Sequence, residues 1–225
     1  GLFLSKGAYE HMLRWHYRSR DERLIAFSNA NIYGGRLQTF PSAFRSHPLL
    51  GVSLRVVQGT YDRSKTRTNP AEAAAVVAEL ASRLRSAEAV PANRSLGVVA
   101  FSIAQQNLVQ DLFDALIDGD EQVRSTVSQL EEPILIKNLE AVQGDERATM
   151  MFSIGYGRDA DGRLAMNFGP MNRAGGERRL NVAITRAREQ MIVFSTIRAG
   201  DIDLGRSGAA GIRLLRDFLE RKLQI

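Results

Sequence analysis

The sequence predicts an α/β domain, a mostly parallel sheet held between two layers of helices. Three observations carry this. Short apolar runs at 95–101, 134–136, 148–154 and 191–195 lack polar alternation, as strands covered on both faces do. Helix-like patterns separate the runs, which is the order of βαβ units. The chain has 225 residues, 44% of them hydrophobic, enough for one such domain with a sizeable core.

Taken in order, residues 20–32 read as a helix that turns Leu24, Ile25, Phe27 and Ser28 inward, and Gly34-Gly35 ends it. The stretch 38–50, with two prolines, reads as a loop. Val52 to Val57 alternates like a strand. Thr60 to Thr68 is polar and charged, an exposed loop. Asn69-Pro70 then starts a helix, with Asn as its cap and Pro at the first position, and the helix continues to about Ser86. After the strand at 95–101, Ser102 caps a helix over 103–117 with a stripe of Ile103, Leu108, Leu112 and Leu116. Pro133 precedes the strand 134–136. The last helix, amphipathic, spans 208–223. There is no internal repeat and no low-complexity segment.

Composition narrows the function classes. Thirty Lys and Arg against 25 Asp and Glu give a net charge of +5, which favours an acidic partner. Arg outnumbers Lys 26 to 4, a skew that phosphate recognition or a GC-rich genome would each produce. Arg83, Arg85, Arg213 and Arg216 read as occupants of plain helix faces. With no Cys, disulfides and thiolate metal sites are excluded, and His11, His16 and His47 lack ligand spacing. No apolar stretch approaches membrane-spanning length and no signal peptide is visible, so a cytoplasmic protein with no membrane contact is expected.

The most informative stretch is Glu177 to Arg188, with four arginines in twelve residues. Read as one helix, it places Leu180, Ala183, Ile184 and Ala187 on a shared face, with Arg179 and Arg186 together on one side. The only acid in the run is Glu177, at its start. Uncompensated guanidinium groups on a packed helix point to a polyanion opposite, such as a nucleotide phosphate or a nucleic-acid backbone. An ordinary surface helix is the competing reading.

The segment Arg178-Arg179-Leu180-Asn181-Val182-Ala183-Ile184-Thr185-Arg186-Ala187-Arg188 resembles motif VI of superfamily 1 helicases, in the branch of the nonsense-mediated-decay helicase and its large bacterial multi-domain relatives. Two further segments match that branch in order. Tyr17-Arg18, then Ile25-Ala26-Phe27-Ser28-Asn29, then Tyr33-Gly34-Gly35-Arg36-Leu37 resembles the motif IV region, within residues 1–50. Asn138 to Glu146, with Gln143-Gly144-Asp145-Glu146 at its core, resembles motif V. The three matches extend over most of the chain. The resemblance implies the second of two RecA-like domains, with the three-layer fold of phosphate-loop nucleoside triphosphatases but without the phosphate loop itself. No G-x-x-x-x-G-K-[ST] run and no apolar run ending in Asp-Glu occurs, and in the family both belong to the first domain. The whole chain, 1–225, is then one motor domain of a larger protein, with a tail helix over 198–225.

The resemblance also implies roles. Arg186 matches the arginine finger and Arg18 a second arginine at the same phosphate, although Arg18 also has Glu22 four residues away as an ion-pair partner. Tyr17 matches an aromatic beside the adenine, with a half-buried core position as the rival reading. Gln143 and Gly144 bring backbone near the γ-phosphate, and Glu146 takes the ribose. Ser102, Gln105, Gln106 and Asn138 sit where relatives touch single-stranded nucleic acid, and read equally as polar caps. ATP and Mg2+ would be held mainly by the first domain. Expected partners are that domain and single-stranded DNA or RNA. The implied function is the second half of an ATP-dependent helicase, inactive as a fragment. The alternative is a stand-alone nucleic-acid-binding or regulatory module derived from one.

Overall fold

The computed structural model describes residues 15–16, 19, 21–39 and 50–221. Tyr17 and Arg18 lie outside the described residues. Five strands form one sheet: β3 (Gly51–Val56), β4 (Leu96–Ala100), β5 (Leu135–Asn138), β6 (Arg147–Ser153) and β7 (Ala187–Ser195). Their order is β3-β7-β6-β4-β5 and every pairing is parallel. Two short segments, β1 (Trp15–His16) and β2 (Gln38–Thr39), form a separate parallel pair. This is the α/β three-layer arrangement that the RecA-like resemblance implies.

The central strands explain the layers. Along β4, β6 and β7 successive residues point to opposite faces, and both faces are apolar. Val99, Met150, Phe152, Met191 and Val193 join one buried cluster with Leu180 and Phe218. Val98, Met151, Ile192 and Phe194 join another with Leu80, Val109 and Phe113. The first face is covered by α1 (Glu22–Asn31), α6 (Gly176–Ile184) and α7 (Ala210–Arg221). The second is covered by α2 (Pro70–Arg85), α4 (Ile103–Gly119) and α5 (Glu121–Ser128). A short α3 (Pro91–Arg94) leads into β4.

The helix starts follow the expected chemistry. Asn69 Oδ1 accepts from Glu72 N at 3.2 Å with Pro70 behind it, and Ser102 Oγ accepts from Gln105 N at 3.1 Å. The helix α5 is not legible from hydrophobic spacing because Val123 is its one buried side chain. Its start is fixed instead by Asp120, which accepts from Val123 N at 2.9 Å.

Three expectations are corrected. The α4 stripe is displaced: Ile103 is exposed, Leu108, Leu112 and Leu116 are only partly buried, and Val109 and Phe113 are the buried apolar residues of that helix. The arginine run is not one helix: α6 stops at Ile184, and Ala187 and Arg188 open β7. Pairing with β6 reaches down to Arg147↔Ala187, so sheet hydrogen bonds override the helical pattern. Ala187 therefore shares no helix face with Leu180, and Arg186 lies in the turn between helix and strand. Arg83, in turn, is no plain-face arginine; it is 6% exposed. Its guanidinium donates to Ala92 O (2.6 Å), Gln190 Oε1 (2.6 Å), Glu79 Oε1 (2.7 Å) and Thr149 Oγ1 (3.2 Å), joining α2 to α3, β6 and β7.

Arg83→Ala strands buried acceptors on four elements and should cost about 3–5 kcal/mol of unfolding free energy, measured by urea denaturation. A loss below about 1 kcal/mol would mean that solvent already serves these groups.

Candidate nucleotide and nucleic-acid edges

In a parallel sheet all strands end at one edge, and the loops there are free to carry function. Here that edge is organised by Glu72, in the first turn of α2 and fully buried. Its Oε2 accepts from Gly155 N at 2.6 Å and Ser153 Oγ at 3.0 Å. Its Oε1 accepts from Thr196 N at 2.7 Å and, at 3.4 Å, from Asn69 Nδ2. One carboxylate thus ties the start of α2 to the ends of β6 and β7. Desolvation pushes its pKa up to about 7, against the pull of the hydrogen bonds it accepts. An acid in the first turn of an alanine-rich helix reads as an ordinary dipole partner, so the sequence held no sign of this role.

The expected nucleic-acid residues lie at the same edge but differ from one another. Ser102 caps α4 beside the end of β4. Gln105 is fully buried: its amide accepts from Asn69 N at 2.8 Å and donates to Asn69 O at 3.1 Å and Ser153 Oγ at 3.0 Å. Its polar atoms are thus engaged with the Glu72 cluster. Gln106 and Asn138 are half-buried and bonded together, Asn138 Nδ2 to Gln106 Oε1 at 2.8 Å, with Gln106 Nε2 reaching Ile136 O at 3.3 Å. Ser102 and Asn138 line a common depression of about 330 Å3 with Tyr61, Arg67, Tyr156 and Arg173.

Of the expected nucleotide residues, Gln143, Gly144, Glu146 and Arg186 gather at the opposite edge, where strands begin. The segment after Asn138 crosses the sheet face, burying Leu139 and Val142 in the core, and reaches β6 at Arg147. Gln143 and Gly144 form its exposed turn; Gly144 has φ +92°, a conformation that favours glycine, and a Cβ there would meet nothing within 4 Å. Arg147 N donates to Arg186 O at 3.2 Å, which brings the Glu146 and Arg186 backbones side by side. The half-buried Arg186 donates from Nε to Val182 O at 2.8 Å. Arg188 reaches Ser95 Oγ at 3.0 Å, Glu132 at 3.6 Å and Glu146 at 3.7 Å.

The motif IV and VI segments meet inside the same layer. Asn29 bonds both ways with Leu37, Nδ2 to O and N to Oδ1, each at 2.9 Å, closing the glycine turn between them. Asn181 of α6 donates to Tyr33 Oη at 3.2 Å. The Asn, Tyr and Leu positions of that sequence pattern therefore build one clasp. Among the described residues no group of three His, Cys, Asp or Glu is placed to hold a metal ion. Nor is any helix there long and apolar enough to cross a membrane.

A parallel α/β sheet with the motif V segment linking its two edges, and the motif VI arginine at one of them, defines the class: a domain of the ATP-dependent helicase type. Residues 2–198 match the AAA domain family, and the chain belongs to it. It is 34% identical over 213 residues to an uncharacterized ATP-dependent helicase of Mycoplasma pneumoniae, and 34% identical over 212 residues to its Mycoplasma genitalium counterpart. Each alignment covers 92% of this chain and 18% of the relative, so the chain spans about a fifth of those proteins' length. A crystal structure of the C-terminal domain of a possible DNA helicase from Lactobacillus plantarum aligns over 80% of this chain and 86% of its own, at 12% identity with a TM-score of 0.43.

The Glu72 site has a pH signature. A folded pKa raised above the unfolded value means that its contribution is fully present below about 4.5 and is lost as pH rises through about 7. Asp62, Asp120, Asp201 and Glu79 have lowered values, so their contributions are already complete above that lower limit. Between pH 5 and 8 the wild type should therefore lose stability that Glu72→Gln does not, in paired urea melts. Glu72→Gln should itself be less stable at pH 5, because either amide orientation turns NH2 groups against a backbone N–H. Parallel pH profiles for the two proteins would show that Glu72 keeps one protonation state throughout.

Proposed function

We infer that the chain is the second RecA-like motor domain of a superfamily 1 DNA or RNA helicase. It completes an ATP site at the edge where β6 and β7 begin and forms part of a single-strand track at the edge where the strands end. The observation that carries this is the hydrogen bond from Arg147 N to Arg186 O, which sets the expected ribose contact Glu146 beside the expected finger Arg186.

The chemistry follows from charge. A γ-phosphoryl group in transfer spreads negative charge over its equatorial oxygens, and a preorganised cation in a closed cleft stabilises that charge. The Arg186 position is fixed at the junction of α6 and β7, with its Nε donating to Val182 O, and its guanidinium carries the charge and planar shape suited to phosphate. Glu146 carries a carboxylate suited to a ribose hydroxyl, and Gly144 leaves backbone open to a phosphate. Arg18 and Tyr17 complete the site by resemblance. ATP supplies the phosphoanhydride whose cleavage drives the motor; its β-phosphate and Mg2+ belong to the first domain, since this sequence has no phosphate loop. Closure of the two domains then brings the arginines to the phosphate, which makes hydrolysis depend on domain approach.

In the full-length protein, Arg186→Ala should lower ATP turnover by roughly 10³ or more while nucleotide affinity changes far less. The control is Arg213→Ala, exposed on α7; Arg188 is unsuitable because it pairs with Glu146. Turnover within about threefold of wild type for Arg186→Ala would remove it from the ATP site.

The 225-residue chain alone should release no phosphate from ATP above a blank, with or without single-stranded DNA or RNA. Turnover in this assay would place a complete catalytic site within these residues.

A further inference from the structure

The depression lined by Ser102 and Asn138 does not end there. It shares Tyr61, Arg67, Tyr156 and Arg173 with a second hollow of about 550 Å3. That hollow meets a third, also about 550 Å3, at Arg63, and the third is lined by Arg158, Arg163 and Arg206. One groove therefore runs along the loop edge of the sheet, walled by residues 60–68 on one side and 156–173 on the other. None of these residues belongs to the sequence motifs.

The walls are built. Asp62 folds the first loop by accepting from Lys65 N (3.2 Å), Thr66 N (3.1 Å) and Thr66 Oγ1 (2.9 Å), which holds its pKa at about 2. Asp62 N donates to Thr68 O at 2.9 Å and Tyr61 N to Arg158 O at 2.8 Å, docking the two loops. The result is two exposed arginines, Arg63 and Arg67, flanking Tyr61, and among the described residues neither has a carboxylate ion pair. Arg67 is held at φ +57°, a strained conformation for a side chain of its type. Tyr61 and Tyr156 pack at a tilt of 54° with ring centroids 5.6 Å apart, and Tyr156 is braced from behind by Phe168 at 5.6 Å. Tyr61 is half-buried.

Uncompensated guanidinium groups beside a half-buried, braced aromatic ring match an unpaired polynucleotide. Phosphates meet the arginines, and a base, whatever its identity, meets the ring face. The geometry points to a second section of strand track: single-stranded nucleic acid passing Ser102 and Asn138 continues over Tyr61, which stacks a base, while Arg63 and Arg67 hold its phosphates. Arg173, also on the groove, lies 4.0 Å from Glu140. This rests on the strand-track reading of the same edge, and extends it to residues outside the helicase motifs.

The test is fluorescence anisotropy of the full chain with labelled (dT)12 and (rU)12 at several salt concentrations, each variant's melting temperature being measured alongside. Tyr61→Ala should weaken binding about fivefold or more and Tyr61→Phe should not. Arg67→Gly should shallow the salt dependence by about 0.7 in logarithmic slope, with no loss of thermal stability because glycine relieves the strained backbone. Weakening in either the DNA or the RNA arm supports the proposal, and the arm that binds identifies the sugar. If Ser102→Ala with Asn138→Ala weakens binding while Tyr61→Ala and Arg67→Gly stay within twofold of wild type, this inference is overturned and the motif-based track stands. If none of these variants changes binding, both readings fall. If the loop variants weaken it and the Ser102–Asn138 pair does not, the inference stands and the track shifts onto the loops. Duplex binding as tight as single-strand binding would also overturn it, since paired bases offer no face for Tyr61.

Discussion

A carboxylate removed from water is costly unless donors replace the solvent it loses, and in this fold Glu72 meets that condition by gathering donors from three elements. Backbone amides of Gly155 and Thr196, the Ser153 hydroxyl and the Asn69 amide converge on its two oxygens. Gln105 adds a further layer through Asn69 and Ser153. The consequence is positional. The loops that leave β6 and β7 start from fixed points, and the start of α2 is fixed with them. At Gly157 and Gly59 the packing is tight enough that a Cβ would collide, with Thr196 Oγ1 at the first and Ala71 Cβ at the second. The two loops are joined where Tyr61 N donates to Arg158 O at 2.8 Å, and the tyrosine pair of the groove sits beside that bond.

The second constraint is the direction of the strands. A parallel sheet separates strand starts from strand ends, and a helicase-type motor needs two sites at some distance that respond to each other. The segment 138–146 bridges this distance. It begins at Asn138, bonded to Gln106 at the loop edge, and ends at Glu146, beside Arg186 at the other. Between them Leu139 and Val142 are buried among the first-face core. The two ends are thus joined through packed side chains rather than by a free loop, and under the proposed function this segment would link the strand track to the nucleotide edge.

Arginine serves here in unlike roles that composition cannot separate. Arg83 is a buried brace, held by four acceptors, one on its own helix and three on neighbouring elements. Arg188 joins Ser95, Glu132 and Glu146 at the strand-start edge. Arg63 and Arg67 stand exposed on a loop shaped by Asp62. In the sequence Arg63, Arg67 and Arg83 were members of one arginine-rich background. Only burial and partners, which are properties of the folded chain, divide braces from candidate ligand contacts.

What the sequence by itself determined was set by short-range chemistry. Asn69-Pro70 and Ser102 started α2 and α4 because cap and ring geometry act within a few residues, and the apolar runs without alternation became strands covered on both faces. The order of motif-like segments fixed the family, because side-chain identity at set spacings survives where overall similarity does not. Tertiary structure decided the rest. The helix of the arginine run ends at Ile184, four residues before the end of its pattern, because β6 offered Ala187 a ladder partner. Gln105 turned inward to Asn69 and Ser153 rather than outward. Glu72, and the pairing of Tyr61 with Tyr156 across 95 positions of sequence, left no periodic or motif trace, because each depends on donors or rings that meet only when distant strands end at the same edge.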